Sequence, residues 1–326
     1  MTIKNTKSTK MKILITSLGS NTAIGVIKSL KIAFPSVTII ACDTNKQSEC
    51  NGSLFTDHFE QICQADDKNY IPSLMNLIKK HNLDCIIPIH DREIEVIAKN
   101  KSFFREETKI LVNNSDTIEL CSDKVKCCFF LNEILSIPKI YGELNQVELP
   151  AIMKEIRGVG STTIQIMNTQ NSIPTNLPDG MMIQEFISGE EYTVDCYSSY
   201  FSDDFRCVVR KRKEVKNGMS IKGEIISHPK IEKLCEKIHH TFKYKGVSNI
   251  QFIENDKDIY FIEINPRFAG GGTLTYKNGF DIPVIAINEL LMNKYFDPLK
   301  DHNPLIGAKM VRYLQETFFD KDGNRI

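Results

Sequence analysis

The sequence predicts an α/β protein whose N-terminal part is a doubly wound parallel sheet and whose C-terminal part is α+β. Three observations lead there. From Met11 to about residue 114, strand-like and helical runs alternate, the rhythm of a parallel sheet covered by helices. Beyond residue 115, short alternating strands follow one another across turns, which favours antiparallel pairing. A chain of 326 residues, 41% hydrophobic and 25% charged, is long and apolar enough for two or three domains with cores of their own.

Residues 1–10 are polar and lysine-rich, and a disordered lead is expected there. The fold then starts at Met11. Strands are expected at Ile13–Leu18, Val37–Cys42, Cys85–Ile89 and Ile110–Val112, and helices at Ile24–Ile32, Tyr70–His81 and Glu93–Lys99. The loop from Gly19 to Gly25 invites a dinucleotide reading with Asp43 as ribose partner, but it lacks G-x-G-x-x-G, so NAD(P) is disfavoured. His90, Asp91 and Glu93 fall at the end of a parallel strand, where such folds place ligands. An edge-of-site or structural role is expected of them.

Ser122-Asp123 can cap a helix with apolar positions at Val125, Cys128, Phe129 and Leu131 to Leu135, at helical spacing. Lys124 in its first turn opposes the helix dipole, a small penalty unless an anion lies nearby. Ala151–Lys154 and Ile164–Met167 read as strands around Arg157-Gly158-Val159-Gly160-Ser161-Thr162-Thr163. Such a tip offers backbone N–H groups to a phosphate, with Lys154 supplying charge, and serves equally as a plain hairpin turn. Met182–Ile187 reads as a strand, Gly189 as a tight turn, and Glu190–Asp195 as a strand that restarts the alternation.

The densest signal is Tyr260 to Gly272. Side chains alternate with period two in a strand, so Glu263, Asn265 and Arg267 share one face while Ile262 and Ile264 face apolar packing. Pro266 helps to end the ladder, and Gly270, Gly271 and Gly272 open the backbone. Asn249–Ile253 is a second alternating run, and folding about the turn Asn255-Asp256-Lys257-Asp258 sets Gln251 opposite Glu263, within one residue. Oxygen donors from Gln251, Glu263 and Asn265, with an arginine beyond, suit Mg²⁺, which keeps waters and nucleotide phosphates as its other ligands. A half-exposed hairpin with a wet polar face explains the same spacing, so spacing alone does not decide.

Lys plus Arg and Asp plus Glu are 41 each, so no global field draws the chain to nucleic acid or to an anionic membrane. No apolar run approaches the roughly 20 residues that span a bilayer, and the short run Met11–Leu18 makes a first strand rather than a signal peptide. Ten scattered cysteines lack C-x-x-C or zinc spacing, which favours reduced thiols and a cytoplasmic protein. Cys127 and Cys128 are expected in core packing.

Taken in order, Lys124, Lys154 before a Gly-rich loop, Gln184-Glu185-Phe186-Ile187 with Glu191, Gln251, and Glu263-Ile264-Asn265-Pro266-Arg267 resemble the ATP-grasp superfamily. The branch most similar comprises stand-alone proteins like half of a carbamoyl-phosphate synthetase large subunit, and the related amino-acid ligases. The resemblance covers nearly all of residues 11–326. It implies a pre-ATP-grasp domain over 11–114, an ATP-grasp subdomain with a phosphate flap over 115–187, and a C-terminal subdomain with the metal site over 188–326. It assigns Lys124, Lys154, Gly158, Gly160 and Ser161 to the ATP phosphates. Glu185, Phe186 and Ile187 would hold adenine and Glu191 the ribose. Gln251, Glu263 and Asn265 would bind Mg²⁺, with Mn²⁺ as a substitute. Arg267, with Lys154, would act on the transferring phosphoryl group, and the backbone of Gly270, Gly271 and Gly272 would meet that group and the acyl phosphate; Asp91, from its place at a strand end and not from the resemblance, is a further candidate substrate contact. Lys154 is followed by Glu155 where proline is frequent in the family, and the flap has only two glycines.

The implied activity is an ATP-dependent carboxylate-amine ligase that forms an amide through an acyl phosphate, with an amino acid as one substrate. Its partners are then ATP, a small carboxylate and an amine, and a homodimer is compatible with it. Two rivals stand beside it: phosphorylation of bicarbonate or carbamate, and a non-catalytic nucleotide-binding module.

Overall fold

A computed structural model describes residues 10–158, 164–216, 218–313, 315–321, 323 and 326. The chain divides into two compact units, Met1–Val112 with Pro283–Lys294 and Gln315–Ile326, and Asn113–Ile282 with Tyr295–Leu314. The first unit is built on β1 (Lys12–Ile15), α1 (Asn21–Ala33), β2 (Thr38–Asp43), β3 (His58–Gln61), α2 (Tyr70–His81), β4 (Cys85–Ile87), α3 (Asp91–Lys99) and β5 (Lys109–Ile110). Its five strands are parallel in the order β3-β2-β1-β4-β5, the doubly wound sheet expected. Ile13, Leu14, Ile15, Ile39, Ile86 and Ile87 are buried, as continuous apolar strands covered on both faces must be.

Local chemistry sets the ends of these elements. Ser20 caps α1 by accepting from the Ala23 N–H at 3.1 Å, so the Gly19–Gly25 loop is largely helix. Asp43 is buried and accepts from the Gly19 N–H at 2.8 Å and the Asn45 N–H at 3.0 Å. That carboxylate ties two loops together. Before α3, the Glu93 carboxylate accepts from Thr16 Oγ1 at 2.5 Å, Ser17 Oγ at 2.7 Å and the His90 N–H at 3.2 Å. Asp91 is the first residue of this helix and belongs to the first unit.

The second unit opens with α4 (Ser115–Ser122) and α5 (Lys124–Leu131). Asp123 caps α5 by accepting from the Lys126 N–H at 3.0 Å. The helix ends at Leu131 rather than reaching Leu135, and Phe129, expected on its apolar stripe, is 62% exposed. Only two turns form, so Cys127, Cys128 and Leu131 make the buried face. Burial pushes the Cys128 thiol up to about 11, which suits packing and not nucleophilic chemistry.

Next come β6 (Ile140–Tyr141), β7 (Ala151–Glu155), β8 (Gln165–Met167) and β9 (Met181–Glu185), a sheet in the order β6-β9-β7-β8. Strands β10 (Glu190–Ser198), β11 (Phe205–Lys216) and β12 (Met219–Ile226), helix α6 (Pro229–Phe242), then β13 (Gly246–Glu254) and β14 (Ile259–Asn265) follow. Helix α7 (Thr273–Tyr276) and β15 (Lys309–Val311) complete the second unit, whereas helix α8 (Ile282–Met292) belongs, from Pro283 on, to the first. The second sheet runs β14-β13-β10-β11-β12-β15 and is antiparallel. The strands either side of Gly189 therefore do not pair: β9 and β10 lie in different sheets, and residues 186–189 link them. A Cβ on Gly189 would overlap the Glu254 carbonyl, so the link hugs the end of β13.

Val194, Cys196, Val209, Ile250, Phe252, Phe261 and Ile264 pack with Ile231, Cys235 and Ile238 of α6 and Cys128 and Leu131 of α5. One face of the six-stranded sheet is thus apolar. Cross-strand register sets Thr193 against Arg210 and Gln251, and Gln251 against Glu263. Asp195 faces Asn249, which faces Asn265. Residues directly opposite share a face, so two polar rows cross the other side of the sheet.

Candidate functional site

Glu263 is the centre of this polar face. Its Oε1 accepts from Gln251 Nε2 at 2.8 Å and from Asn265 Nδ2 at 2.9 Å. Its Oε2 lies 3.9 Å from Lys124 Nζ. The register of Gln251 on Glu263 is as the turn predicted. One detail of the strand differs: the ladder slips between Gln251 and Phe252, leaving Ile262 unpaired. That bulge puts Phe261 and Ile264 in the core and leaves Ile262 half-buried, where strict alternation had sent Ile262 inward. Bulges re-aim side chains beside functional sites, and here one separates Glu263 from the regular ladder below it.

Two lysines converge on that carboxylate from the neighbouring elements. Lys124, at the start of α5, is 13% exposed in its side chain and donates to the Gly158 carbonyl at 3.0 Å, so it is no solvated surface lysine. Lys154 on β7 is 9% exposed, and among the described residues no group accepts a hydrogen bond from its ammonium. Burial pushes the Lys154 ammonium below the ordinary lysine value of 10.5, and the Glu263 charge pulls it back up. A buried cation whose burial a neighbouring carboxylate offsets only in part is costly unless a further anion comes to it.

The sign of that shift gives a stability prediction. Between the lowered folded-state pKa and 10.5, the unfolded chain holds the extra proton, so Lys154 makes the protein gain stability as pH rises through that window. Below the folded-state pKa its burial cost is fully present. Thermal melts from pH 7 to 10.5 should show wild type gaining on Lys154→Met across that window. A constant difference between the two would refute the burial of charge at Lys154.

At the other end, the Glu185 N–H donates to the Lys139 carbonyl at 2.8 Å and the Phe186 N–H to the Pro150 carbonyl at 3.1 Å. The Ile187 N–H has no partner among the described residues, so the 185–187 main chain offers an edge to a planar heterocycle. Glu191 is exposed and pairs with Arg212 at 3.1 Å. Arg267 lies beyond the end of β14, with Nη1 donating to the Phe268 carbonyl at 3.2 Å. Gly160 and Ser161 lie outside the described residues.

Gly271 and Gly272 are glycines because of what presses on them. A Cβ on Gly271 would overlap the Arg210 guanidinium, and one on Gly272 the Tyr276 phenol. Arg210 is buried and donates from Nε and Nη2 to Asp195 at 2.6 and 2.9 Å. Thr275 Oγ1 also donates to Asp195, and Arg312 donates to the Gly270 carbonyl. Arg210, Arg212, Asp195, Thr275 and Arg312 escape the motif reading. The run Arg210-Lys211-Arg212-Lys213 was the available signal, since period two sends Arg210 and Arg212 to the face of Gln251.

The donor set suits one kind of metal. Three oxygen-bearing side chains with a single carboxylate fit a hard cation that arrives with phosphate ligands, and fall short of a self-sufficient cage. Among the described residues no group of three or more His, Cys, Asp or Glu is placed to hold a metal ion. No described helix is long and apolar enough to cross a membrane.

Residues 178–315 match the family described as ATP-grasp in the biosynthetic pathway with Ter operon, and residues 13–112 match the PylC-like N-terminal domain. The carbamoyl phosphate synthase large chain of Clostridium acetobutylicum is 22% identical over 288 residues, 78% of this chain and 27% of that one. The chain thus spans about a quarter of the length of such relatives. The D-alanine–D-alanine ligase of Fusobacterium nucleatum is 26% identical over 145 residues, 40% of this chain and 50% of that one. Among solved structures, the L-amino acid ligase of Bacillus licheniformis superposes with a TM-score of 0.71 at 13% identity, covering 96% of this chain and 82% of that one. N5-carboxyaminoimidazole ribonucleotide synthetase of Thermotoga maritima gives 0.69 at 17%, covering 95% and 82%. At such identities the superpositions establish the fold alone, that of ATP-grasp enzymes, and the two family matches make residues 178–315 similar to an ATP-grasp domain that follows a PylC-like N-terminal domain.

Proposed function

We propose that this protein joins a carboxylic acid to an amine at the expense of ATP, through an acyl phosphate, with an amino acid as one substrate. The observation that carries the reading is Glu263, a lone carboxylate held by two amides and approached by Lys124 and Lys154. In this reading Lys124, Lys154 and the Gly158–Ser161 backbone bind the phosphates. The 185–187 main chain takes adenine, and Glu191 the ribose. Gln251, Glu263 and Asn265 hold Mg²⁺, or Mn²⁺ in its place, and the bound ion would neutralise charge on the phosphate oxygens.

Phosphoryl transfer asks a protein mainly for positioning and electrostatic stabilisation, and these residues supply both without a nucleophilic side chain. Lys154 and Arg267 meet the negative charge of the γ-phosphoryl as the substrate carboxylate attacks it. Burial makes Lys154 the stronger of the two, because a charge shielded from water acts at a lower effective dielectric. The Gly270–Gly272 backbone, free of side chains, lets the acyl phosphate lie close to the main chain. An amine then displaces phosphate to give the amide. Asp91 is kept as a candidate substrate contact.

The test is phosphate release from ATP and Mg²⁺ over a panel of amino acids and other carboxylates, with hydroxylamine present. Release that requires a carboxylate and yields a hydroxamate is the expected result. Stimulation by bicarbonate alone would shift the assignment to carbamate-type phosphorylation, and tight ATP binding without turnover would make the protein a nucleotide-binding module.

A further inference from the structure

We propose that Cys196 and Cys207 form a disulfide when the protein meets a peroxide, which makes a group of three neighbouring thiols a redox-modification site. The sheet places them. Cys196 on β10 lies directly opposite Cys207 on β11, and opposite residues share a face of the sheet. Cys235 on α6 comes to the same place from above that face. It is buried with Cys196 in the apolar core of the second unit, and Cys207 packs against that core. All three are free thiols, and among the described residues no group of three or more His, Cys, Asp or Glu is placed to hold a metal ion.

Access and charge single out Cys207. Cys196 and Cys235 are buried whereas Cys207 is half-buried, so Cys207 is the member of the trio that a small oxidant meets first. Hydrogen bonds from the Cys196 and Cys235 thiols lower the Cys207 pKa against its burial, while burial pushes Cys196 and Cys235 up. The trio therefore shares one negative charge, and a thiolate is the form that attacks a peroxide. In the first step the Cys207 sulfur takes one peroxide oxygen, the O–O bond breaks and water leaves, giving a sulfenic acid. The Cys196 sulfur then attacks that sulfur, the S–O bond breaks and a second water leaves. Two thiols are oxidised and one peroxide is reduced to two waters. Opposite residues on antiparallel strands have Cβ atoms about 4.5–5.5 Å apart, and a disulfide needs about 3.5–4.5 Å. The strands must close slightly to make the link, which suits a bond that cellular thiols can reverse.

Tryptic cleavage reads the pairing directly, because Cys196 falls in residues 158–206, Cys207 in 207–210 and Cys235 in 234–237. The native full chain is treated with hydrogen peroxide, its remaining thiols are blocked in denaturant, and the peptides are mapped by mass spectrometry. The expected result is a link between 158–206 and 207–210 that dithiothreitol removes. Cys121 and Cys127 are an internal control, since both are buried and the Cys121 neighbour pushes the Cys127 thiol up; they should stay reduced. Cys207→Ser should abolish the link, and Cys196→Ala should leave a sulfenic acid at Cys207 that dimedone traps. If Cys196→Ala does not fold, the wild-type map and Cys207→Ser decide alone. Reduced Cys207 under peroxide that oxidises the half-buried Cys63 would overturn the proposal, as would Cys207 oxidised to sulfinic acid without a link, or a link to 234–237 instead. The readout is covalent and needs no ATP, so its failure would leave the ligase reading untouched.

Discussion

Glu263→Gln should lower kcat by about 10³-fold while the protein still binds nucleotide. The substitution keeps the size of the side chain and removes the negative charge that contacts Gln251, Asn265 and Lys124. Loss of a single preorganised electrostatic partner costs enzymes ~10²–10³ in rate, and here the charge would also hold the metal. The new amide can keep its oxygen at the Oε1 position, where Gln251 and Asn265 donate, and then presents N–H donors to Lys124 in place of Oε2. Lys124 and Lys154 then face the cleft with no counter-charge, which favours an anionic nucleotide at low salt. Calorimetric binding of ATP together with phosphate release over a Mg²⁺ titration checks both halves. A second readout follows from Lys154. Glu263 raises the Lys154 pKa against its burial, so in the variant the alkaline loss of nucleotide affinity should move to lower pH. Wild-type turnover at every Mg²⁺ concentration would sink the metal-site assignment.

The parts of this site that were legible in the sequence are those fixed by local rules. Helix α2 falls at Tyr70–His81, as the apolar spacing says, and the turn with Asn255 sets Gln251 opposite Glu263. Side-chain alternation and turn chemistry act within a few residues, so a single sequence carries them. The bulge at Ile262 was not legible, because Tyr260-Phe261-Ile262 reads equally well with any one residue unpaired. Packing of Phe261 against Phe252, with ring centroids 6.2 Å apart, goes with the register chosen. Strand β3 was missed for a related reason: His58–Gln61 is a half-exposed edge strand without an apolar run.

The buried arginines were hidden by their own chemistry. Arg210-Lys211-Arg212-Lys213 resembles a solvated basic face, and Lys211 and Lys213 do pair with Glu190 and Glu224 at the surface. What buries Arg210 and Arg212 comes from other strands, as Asp195 and Glu191 on β10 and Gln251 on β13. Such partners are distant in sequence until the sheet is assembled. The same holds for Lys154, whose charge is offset by a carboxylate more than a hundred residues away.

Asp195→Ala should destabilise the protein by about 3–5 kcal/mol, the usual cost of leaving one partner of a buried ion pair uncompensated. Arg210 and Asp195 are each 2% exposed, so solvent cannot screen the orphaned guanidinium. Burial disfavours the charge on Arg210, yet Asp195 outweighs it and holds the arginine above its ordinary pKa, which is why removing the carboxylate costs so much. Thr275 would lose its acceptor as well. At ~2–4 °C per kcal/mol for a domain of this size, the melting temperature should fall by roughly 10 °C. A shift of less than about 2 °C would show that the pair does not carry the stability assigned to it here. A double replacement, Asp195→Leu with Arg210→Met, removes both charges and should recover most of the loss, since an apolar pair of similar volume often matches a buried ion pair. It should not recover turnover, because the guanidinium that presses on Gly271 would be gone and the glycine turn proposed to meet the acyl phosphate would lose its support. Stability restored with activity still absent would separate the two consequences of one ion pair, whereas activity restored along with stability would show that the glycine turn holds its place without Arg210.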